Sequence, residues 1–97
     1  MQSIIPRNEK GTCFLCGLVT HTDEHHIFGG HANRKKSEAD GLKVYLCRSC
    51  HSLVHSDYTY NVQLKQVGQE LWQRTYRKTV EDFIDRYGKN YLWEVDE

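Results

Sequence analysis

The sequence lacks an excess of either charge, since 13 Lys and Arg residues balance 13 Asp and Glu residues. Proteins that bind nucleic acid are more often basic, so this balance speaks against tight, sequence-independent binding over the whole surface. Two local groups of basic side chains remain, at residues 34–36 and 74–78. Binding of phosphate on one face therefore stays open.

Long apolar runs are also lacking, and no stretch approaches the length that crosses a bilayer. Residues 1–10 contain no apolar core of the kind that a secretory signal needs, so we expect a reducing, cytoplasmic environment and no membrane partner. At 97 residues the chain is one domain at most. So small a domain often needs a metal ion or disulfides to stabilise it.

The four cysteines fall into two Cys-x-x-Cys pairs, Cys13 with Cys16 and Cys47 with Cys50. Each pair lets two thiolates reach one tetrahedral ion, and two pairs complete a site with four sulfur ligands. A redox dithiol, disulfides and ordinary buried thiols are the alternatives, but the βαβ context of a thioredoxin-like motif is missing. The spacing therefore predicts a structural zinc ion.

Two pairs of histidines have spacings that suit metal binding or acid–base catalysis. His51 and His55 are one helical turn apart, so their imidazoles share a helix face. His25 and His26 are neighbours on a predicted strand and should point to opposite faces. One of them could join the helical pair on a metal ion while the other acts as a base. The alternatives are a zinc-finger-like pair and hydrogen-bonded histidines without chemistry.

Three imidazoles on one ion leave coordination positions open to water and a phosphate oxygen, as catalytic sites do. Nitrogen ligands favour Zn or Ni, whereas cellular availability could place Mg or Mn there. His21 and His31 have no other histidine or cysteine at a spacing that indicates a shared metal site. We expect both to be exposed and dispensable.

The pattern of apolar residues predicts a small α+β domain. Residues 19–28 should form a strand pair or one irregular strand, and the alternation in 42–46 predicts a second, half-buried strand. Between them, residues 31–40 are polar and basic and should form an exposed loop. A short helix is predicted from about Arg48, followed by a break at 57–61.

Two C-terminal helices are expected after that break. The first covers residues 61–78, where apolar side chains recur at helical spacing. The second has Thr79 as its N-cap, Asp82 in the capping-box position and Gly88 as its stop. Residues 91–93 should fold back onto the core.

The order of these pieces resembles the HNH, or ββα-metal, nuclease superfamily over residues 13–55. In that family a strand carries a metal ligand followed directly by a general-base histidine. A second strand and a helix with the other ligands come next, and many members add two Cys-x-x-Cys zinc knuckles. Four segments of this sequence resemble segments of small HNH proteins encoded by bacteriophages and prophages. They are H-H-I-F-G-G-H-A-N-R-K-K-S, G-L-K-V-Y-L-C, C-H-S-L-V-H and F-I-D-R-Y-G-K-N-Y-L.

The resemblance implies one domain over residues 1–97, with a zinc-stabilised ββα-metal core at 13–55 and a helical extension at 61–93. It implies a metal-dependent endonuclease that hydrolyses DNA phosphodiester bonds, by nicking or double-strand cleavage, in the cytoplasm of a bacterial host. The implied site is the base His26, one catalytic ion (Mg, Mn, Ni or Zn) on His25, His51 and His55, and structural zinc on Cys13, Cys16, Cys47 and Cys50.

One letter of the family motif is displaced. The central asparagine usually lies on the second strand or just before it, where Gly41 and Leu42 stand here. Asn33 is the nearby candidate, and either it or backbone groups would hold the loop that carries the base. The candidates for contacts to DNA phosphates are Arg34, Lys35, Lys36 and Arg48, with a solvated loop as the alternative for the first three.

Two other functions stay open. A non-catalytic zinc module that binds nucleic acid or protein would keep the zinc and the helices but would not need His26 as a base. A subunit of a phage DNA-packaging or recombination complex would cut DNA only with its partners. A homodimer also stays open, because one site per chain cuts one strand at a time.

Overall fold

The computed structural model describes residues 2–92, which form two strands and four helices. In chain order these are β1 (Asp23–His26), α1 (His31–Asp40), β2 (Lys43–Leu46), α2 (Arg48–Ser56), α3 (Tyr58–Tyr76) and α4 (Val80–Tyr87). The strands pair antiparallel, with His25 opposite Val44 and His26 opposite Lys43. The predicted α+β class, with two antiparallel strands followed by a helix, is confirmed.

The outer edge of β2 is covered by the N-terminal segment. The side chain of Asn8 accepts a hydrogen bond from the Tyr45 N–H at 2.9 Å and donates one to the Lys43 carbonyl at 2.9 Å. One side-chain amide thus makes the two bonds that the backbone of a neighbouring strand would make. The Ile4 N–H donates to the Gly41 carbonyl at 2.9 Å. A two-stranded hairpin is barely stable by itself, and these bonds satisfy an edge that would otherwise need water.

Segment 31–40 is a helix and not the exposed loop that the sequence predicted. α1 ends at Asp40 and is capped by Gly41, whose φ of 74° suits the left-handed cap. Its only buried side chain is Ser37, whose hydroxyl donates to the Leu42 carbonyl at 2.6 Å and accepts from the Phe28 N–H at 3.2 Å. Hydrogen bonds therefore stabilise this helix, whose sequence lacks the apolar stripe by which a helix is predicted.

The two C-terminal helices follow the prediction closely. α3 begins at Tyr58, directly after its N-cap Asp57, so the break expected at 57–61 shrinks to one residue. α4 has both bonds of the predicted capping box, between Thr79 and Asp82, and ends at Gly88. Local capping chemistry explains both starts.

An aromatic cluster joins the hairpin to the C-terminal helices. The ring of Phe28, just after β1, lies 5.2 Å from Phe83 and 4.7 Å from Tyr87, while Trp72 lies 5.4 Å from Phe83. Asp40, at the end of α1, accepts hydrogen bonds from Trp72 Nε1 at 2.8 Å and the Tyr87 hydroxyl at 2.7 Å. Each aromatic pair adds to apolar burial. The cluster therefore fixes α1, α3 and α4 around the hairpin.

The expected fold-back of the chain end is seen at Tyr91. Its N–H donates to the buried Gln69 side chain at 2.7 Å, and its ring lies 5.6 Å from Phe28. Trp93, also expected there, and with it the end of the predicted extension at 61–93, lies outside the described residues.

Candidate metal centres

Four thiols meet beside the start of α2. Cys13 and Cys16 lie in the turn before β1, Cys47 is the N-cap of α2 and Cys50 lies in its first turn. Their sulfur atoms all lie within 4.8 Å of one another, and the Sγ atoms of Cys16 and Cys47 are 3.9 Å apart. Zinc–sulfur bonds of about 2.3 Å place tetrahedral sulfurs about 3.8 Å apart. The quartet therefore has the size of a zinc site.

Backbone N–H groups point at two of these sulfurs, from Cys16 to Cys13 and from Cys50 to Cys47, both at 3.5 Å. Burial raises the pKa of Cys13, but backbone hydrogen bonds, chiefly of Cys47 and Cys16, outweigh it and lower the pKa to about 6. A thiolate is the form that binds metal, so this one is ready at neutral pH. All four cysteines are free of disulfides, and together they could hold a structural zinc ion.

A second cluster consists of His25 from β1 with His51 and His55 from α2. Their candidate ligand atoms lie within 4.8 Å of one another, and the Nε2 atoms of the helical pair are 3.2 Å apart. Nitrogens on one ion at 2.0–2.1 Å stand about 3 Å apart, so the spacing fits a shared ion. The three predicted ligands therefore converge. We call them the histidine triad.

His25 explains why the triad looks like a binding site and not a polar cluster. It is 5% exposed, and its Nε2 is the one buried side-chain polar atom in residues 2–92 without a hydrogen-bond partner. An orphaned buried group costs about 1–3 kcal/mol, which a bound ion would offset. Burial, followed by repulsion from His51 and His55, lowers the pKa of His25 to about 4. Its lone pair is thus available at neutral pH.

Asp23 holds His51, one member of the triad, and was missed by the sequence analysis. Its carboxylate accepts a hydrogen bond from Nδ1 of His51 at 3.1 Å, an arrangement that leaves the opposite nitrogen of the ring for metal. This bond with His51 lowers the pKa of Asp23. Asp23 also pairs with Arg48 at 3.3 Å, so that predicted DNA contact is an exposed side chain beside the triad. An acid two residues before His25, on the same strand face, was the available signal.

His26 points away from the triad, as neighbours on a strand do. Its Nε2 lies 2.8 Å from Oε1 of Glu38 on α1. The ring nevertheless lines a cleft of about 560 Å³ that His25, His51 and His55 also line. Its role as a base stays a prediction; the ring lines the same cleft as the triad and lies outside that ligand cluster.

The cleft has walls that the sequence analysis only partly identified. Gly29 and Gly30, just before α1, and Arg34 on α1 line the cleft, and so do Asn61 and Lys65 of α3. The last two were missed because α3 was treated as core. Their separation of one helical turn, on the polar side of an amphipathic helix, was the signal that could have found them.

Several predicted site residues lie elsewhere. The Asn33 side chain donates to the Tyr87 carbonyl at 3.2 Å, and the Lys36 amino group donates to the Arg86 carbonyl at 2.7 Å. Both join α1 to α4, so the position of Asn33 gives no support to its predicted catalytic role. Lys35 lines a neighbouring cleft instead. His21 and His31 are exposed, as expected.

Acid is expected to destabilise the protein through His25. The unfolded pKa is about 6.5 and the folded pKa about 4, so between these values the unfolded chain holds a proton that the folded chain lacks. The free energy of unfolding should therefore fall as pH drops through this window, by up to about 1.4 kcal/mol per pH unit.

Urea unfolding of the zinc-loaded protein at pH 6.5 and 5.5, without other divalent ions, measures this effect. The control is His25→Gln, which carries the same zinc quartet but no titrating group at that position. The loss of stability should be greater in the wild type. Equal losses in both proteins would contradict the assignment of a neutral, buried imidazole.

Comparisons with known protein families, with curated proteins and with solved structures gave no match to this chain. Within residues 2–92, no helix has both the length and the apolar character needed to cross a membrane. Residues 2–92 thus form a small α+β domain with three clusters that could bind metal: one of sulfur ligands, one of nitrogen ligands, and one that combines His26 with Glu24 and Glu38.

Proposed function

We propose that this protein is a metal-dependent endonuclease that hydrolyses phosphodiester bonds in DNA. The observation that carries the proposal is the histidine triad, in which three imidazoles from a strand and a helix converge and line an open cleft. Three protein ligands leave positions for water and substrate, which distinguishes a catalytic from a structural ion. The choice of DNA comes from the resemblance to HNH proteins.

The reaction assigns one task to each group. His25, His51 and His55 would hold the divalent ion, which when bound stabilises the charge that develops on the phosphate and the leaving oxygen. His26 takes a proton from a water molecule as the oxygen of that water attacks phosphorus in line. The P–O3′ bond breaks, its electron pair stays on the 3′ oxygen, and that oxygen takes a proton from solvent. The products are a 5′-phosphate and a 3′-hydroxyl.

Two cations that line the cleft would position the substrate phosphate. Arg34 lies on the α1 wall and Lys65 on the α3 wall. Burial lowers the pKa of Lys65, which is the cost of holding an amino group close to the cleft. The acid in this region, Glu24, is paired with Lys43 at 3.1 Å. A local binding face is thus compatible with a chain of zero net charge.

Replacement of Arg34 by alanine is expected to weaken DNA binding by about 3- to 10-fold and to reduce the salt dependence by about one phosphate contact. Fluorescence anisotropy with a short duplex at several salt concentrations measures both. Arg74→Ala is the matched control, because Arg74 is exposed on α3, pairs with Glu70 at 3.6 Å and does not line the cleft. Equal weakening by both variants would contradict a contact at Arg34.

The proposed function is tested by relaxation of a supercoiled plasmid with Mg²⁺, Mn²⁺, Ni²⁺ or Zn²⁺ and with EDTA. Scission should need one of these ions and should be lost in His55→Ala, which removes one triad ligand. His21→Ala also removes an imidazole, but an exposed one, and it should cut normally. Scission in EDTA, or normal scission by His55→Ala, would argue against a nuclease centred on the triad.

Exposed apolar side chains favour a second function. Leu15, Leu18 and Val19 surround the first zinc knuckle and are 37%, 56% and 80% exposed. Such a group suits a zinc module that binds a partner protein, including a subunit of a phage DNA-processing complex. In that case the knuckle, and not His26, would carry the function. A loss of partner binding in Val19→Asp, with plasmid scission absent from the wild type, would favour this alternative.

A further inference from the structure

A chain of charged contacts connects His26 to the opposite strand. Nε2 of His26 lies 2.8 Å from Oε1 of Glu38, and the same carboxylate accepts bonds from the Lys43 amino group at 3.2 and 3.0 Å. Lys43 faces His26 directly across the hairpin and also pairs with Glu24 at 3.1 Å. Lys43 is only 6% exposed, so this arrangement is buried at its centre.

We infer that Glu38 is the positioning residue for His26, with Lys43 holding the carboxylate in place. The inference rests on the proposed function, because it assigns a partner to the proposed base. No other side-chain hydrogen bond to the His26 ring is found among residues 2–92. Asn33, the residue that the sequence suggested for such a task, is turned toward Tyr87.

The pairing fixes which nitrogen of His26 does the chemistry. An ionised carboxylate can only accept a hydrogen bond, so the proton on the neutral ring lies at Nε2 and the lone pair at Nδ1. The water proton would therefore move to Nδ1. The resulting imidazolium keeps its Nε2–H on Glu38, whose negative charge stabilises the new positive charge, as a buried carboxylate does for a histidine base in other hydrolases.

A second metal ion is the competing explanation. Donor atoms of Glu24, His26 and Glu38 lie within 4.8 Å of one another, which is close enough for a shared ion. The Lys43 amino group, however, already bridges the two carboxylates at 3.0 and 3.1 Å. An ion would have to displace this ammonium group and would occupy the base. Lys43 therefore favours a base over a second metal site.

Kinetics test the assignment with Glu38→Ala and Glu38→Gln. Under single-turnover conditions with saturating DNA, the alanine variant should cut about 100-fold more slowly. Glutamine keeps an acceptor oxygen without the charge, so its loss should be smaller, about 10-fold. The affinity for DNA should stay unchanged in Glu38→Gln, and the variant should stay folded at the assay temperature although its melting temperature falls, because Lys43 loses one charged partner and keeps Glu24. The control Glu70→Gln removes an exposed carboxylate on α3 and should cut like the wild type.

A rate loss below twofold in both variants, or one that only follows the unfolded fraction, would overturn the inference. ¹⁵N NMR of the His26 ring decides it without cleavage. The wild type should show a protonated Nε2 and a bare Nδ1, and Glu38→Ala should show mixed tautomers. A protonated Nδ1 in the wild type would also overturn it. Binding of one further ion per chain, in addition to the zinc and triad ions, would also overturn the inference if Glu38→Gln lost that ion. An inactive wild type with the expected tautomer would refute the nuclease alone.

Discussion

Loss of the zinc ion is expected to unfold the hairpin and α2, and the histidine triad with them. Cys13 and Cys16 sit on the turn before β1, whereas Cys47 caps α2, so one ion would connect segments about 30 positions apart in the sequence. Each strand has only four residues, and so short a two-stranded sheet is marginal by itself. Structural zinc supplies about 10–16 kcal/mol in small zinc domains, which matches the whole stability of a typical domain.

Circular dichroism and zinc content, followed together during chelation, measure this effect in the wild type and in Cys47→Ser. The variant should lack both zinc and cooperative melting. Ser49→Ala, an exposed change in the same turn of α2, is the control and should keep both. Native ellipticity and an unchanged melting temperature in zinc-free protein would contradict a structural role for the quartet.

Replacement of His26 by alanine is expected to slow scission by about 100- to 10,000-fold, the range that a general base contributes. Binding of a divalent ion to the triad should not change, because His26 faces Glu38 and lies outside the histidine triad. Binding of DNA should not change either, since the variant keeps Arg34 and Lys65. Large loss of rate with both affinities intact is the pattern of a group that acts only in the chemical step.

Single-turnover cleavage, calorimetric titration of the divalent ion and anisotropy with DNA separate these quantities. His51→Ala provides the contrast, because removal of a triad ligand should weaken ion binding and scission together. His31→Ala, an exposed imidazole, should change neither. If His26→Ala loses the ion, His26 is a ligand and not a base. If it cuts at the wild-type rate, it has no catalytic role.

The sequence predicted best where a few adjacent residues determine the structure. The Cys-x-x-Cys spacing predicted a quartet that the fold brings together. The capping box from Thr79 to Asp82 predicted the start of α4, and the one-turn spacing of His51 and His55 placed both rings on one face. In each case the geometry is local, so spacing alone is informative.

Prediction failed where the deciding contact joins two different elements of the fold. α1 was taken for a loop because its stabilising bonds involve partners outside its own pattern: Ser37 donates to the Leu42 carbonyl, and Asp40 accepts from Trp72. The alternation in residues 42–46 predicted a half-buried strand, on which Lys43 would face solvent, yet Lys43 is 6% exposed and its amino group is paired with Glu38 of α1. The hydrophobic periodicity of a sequence predicts which apolar side chains are buried, but it does not predict a buried ion pair.

The most direct measurement is the rate of DNA scission against the fraction of triad sites that hold a divalent ion, in protein whose cysteine quartet is already loaded with zinc. If the ion on His25, His51 and His55 is catalytic, the rate should be zero at zero occupancy and rise in proportion to it. Full occupancy of the triad by each of Mg²⁺, Mn²⁺, Ni²⁺ and Zn²⁺ without any scission would contradict the account.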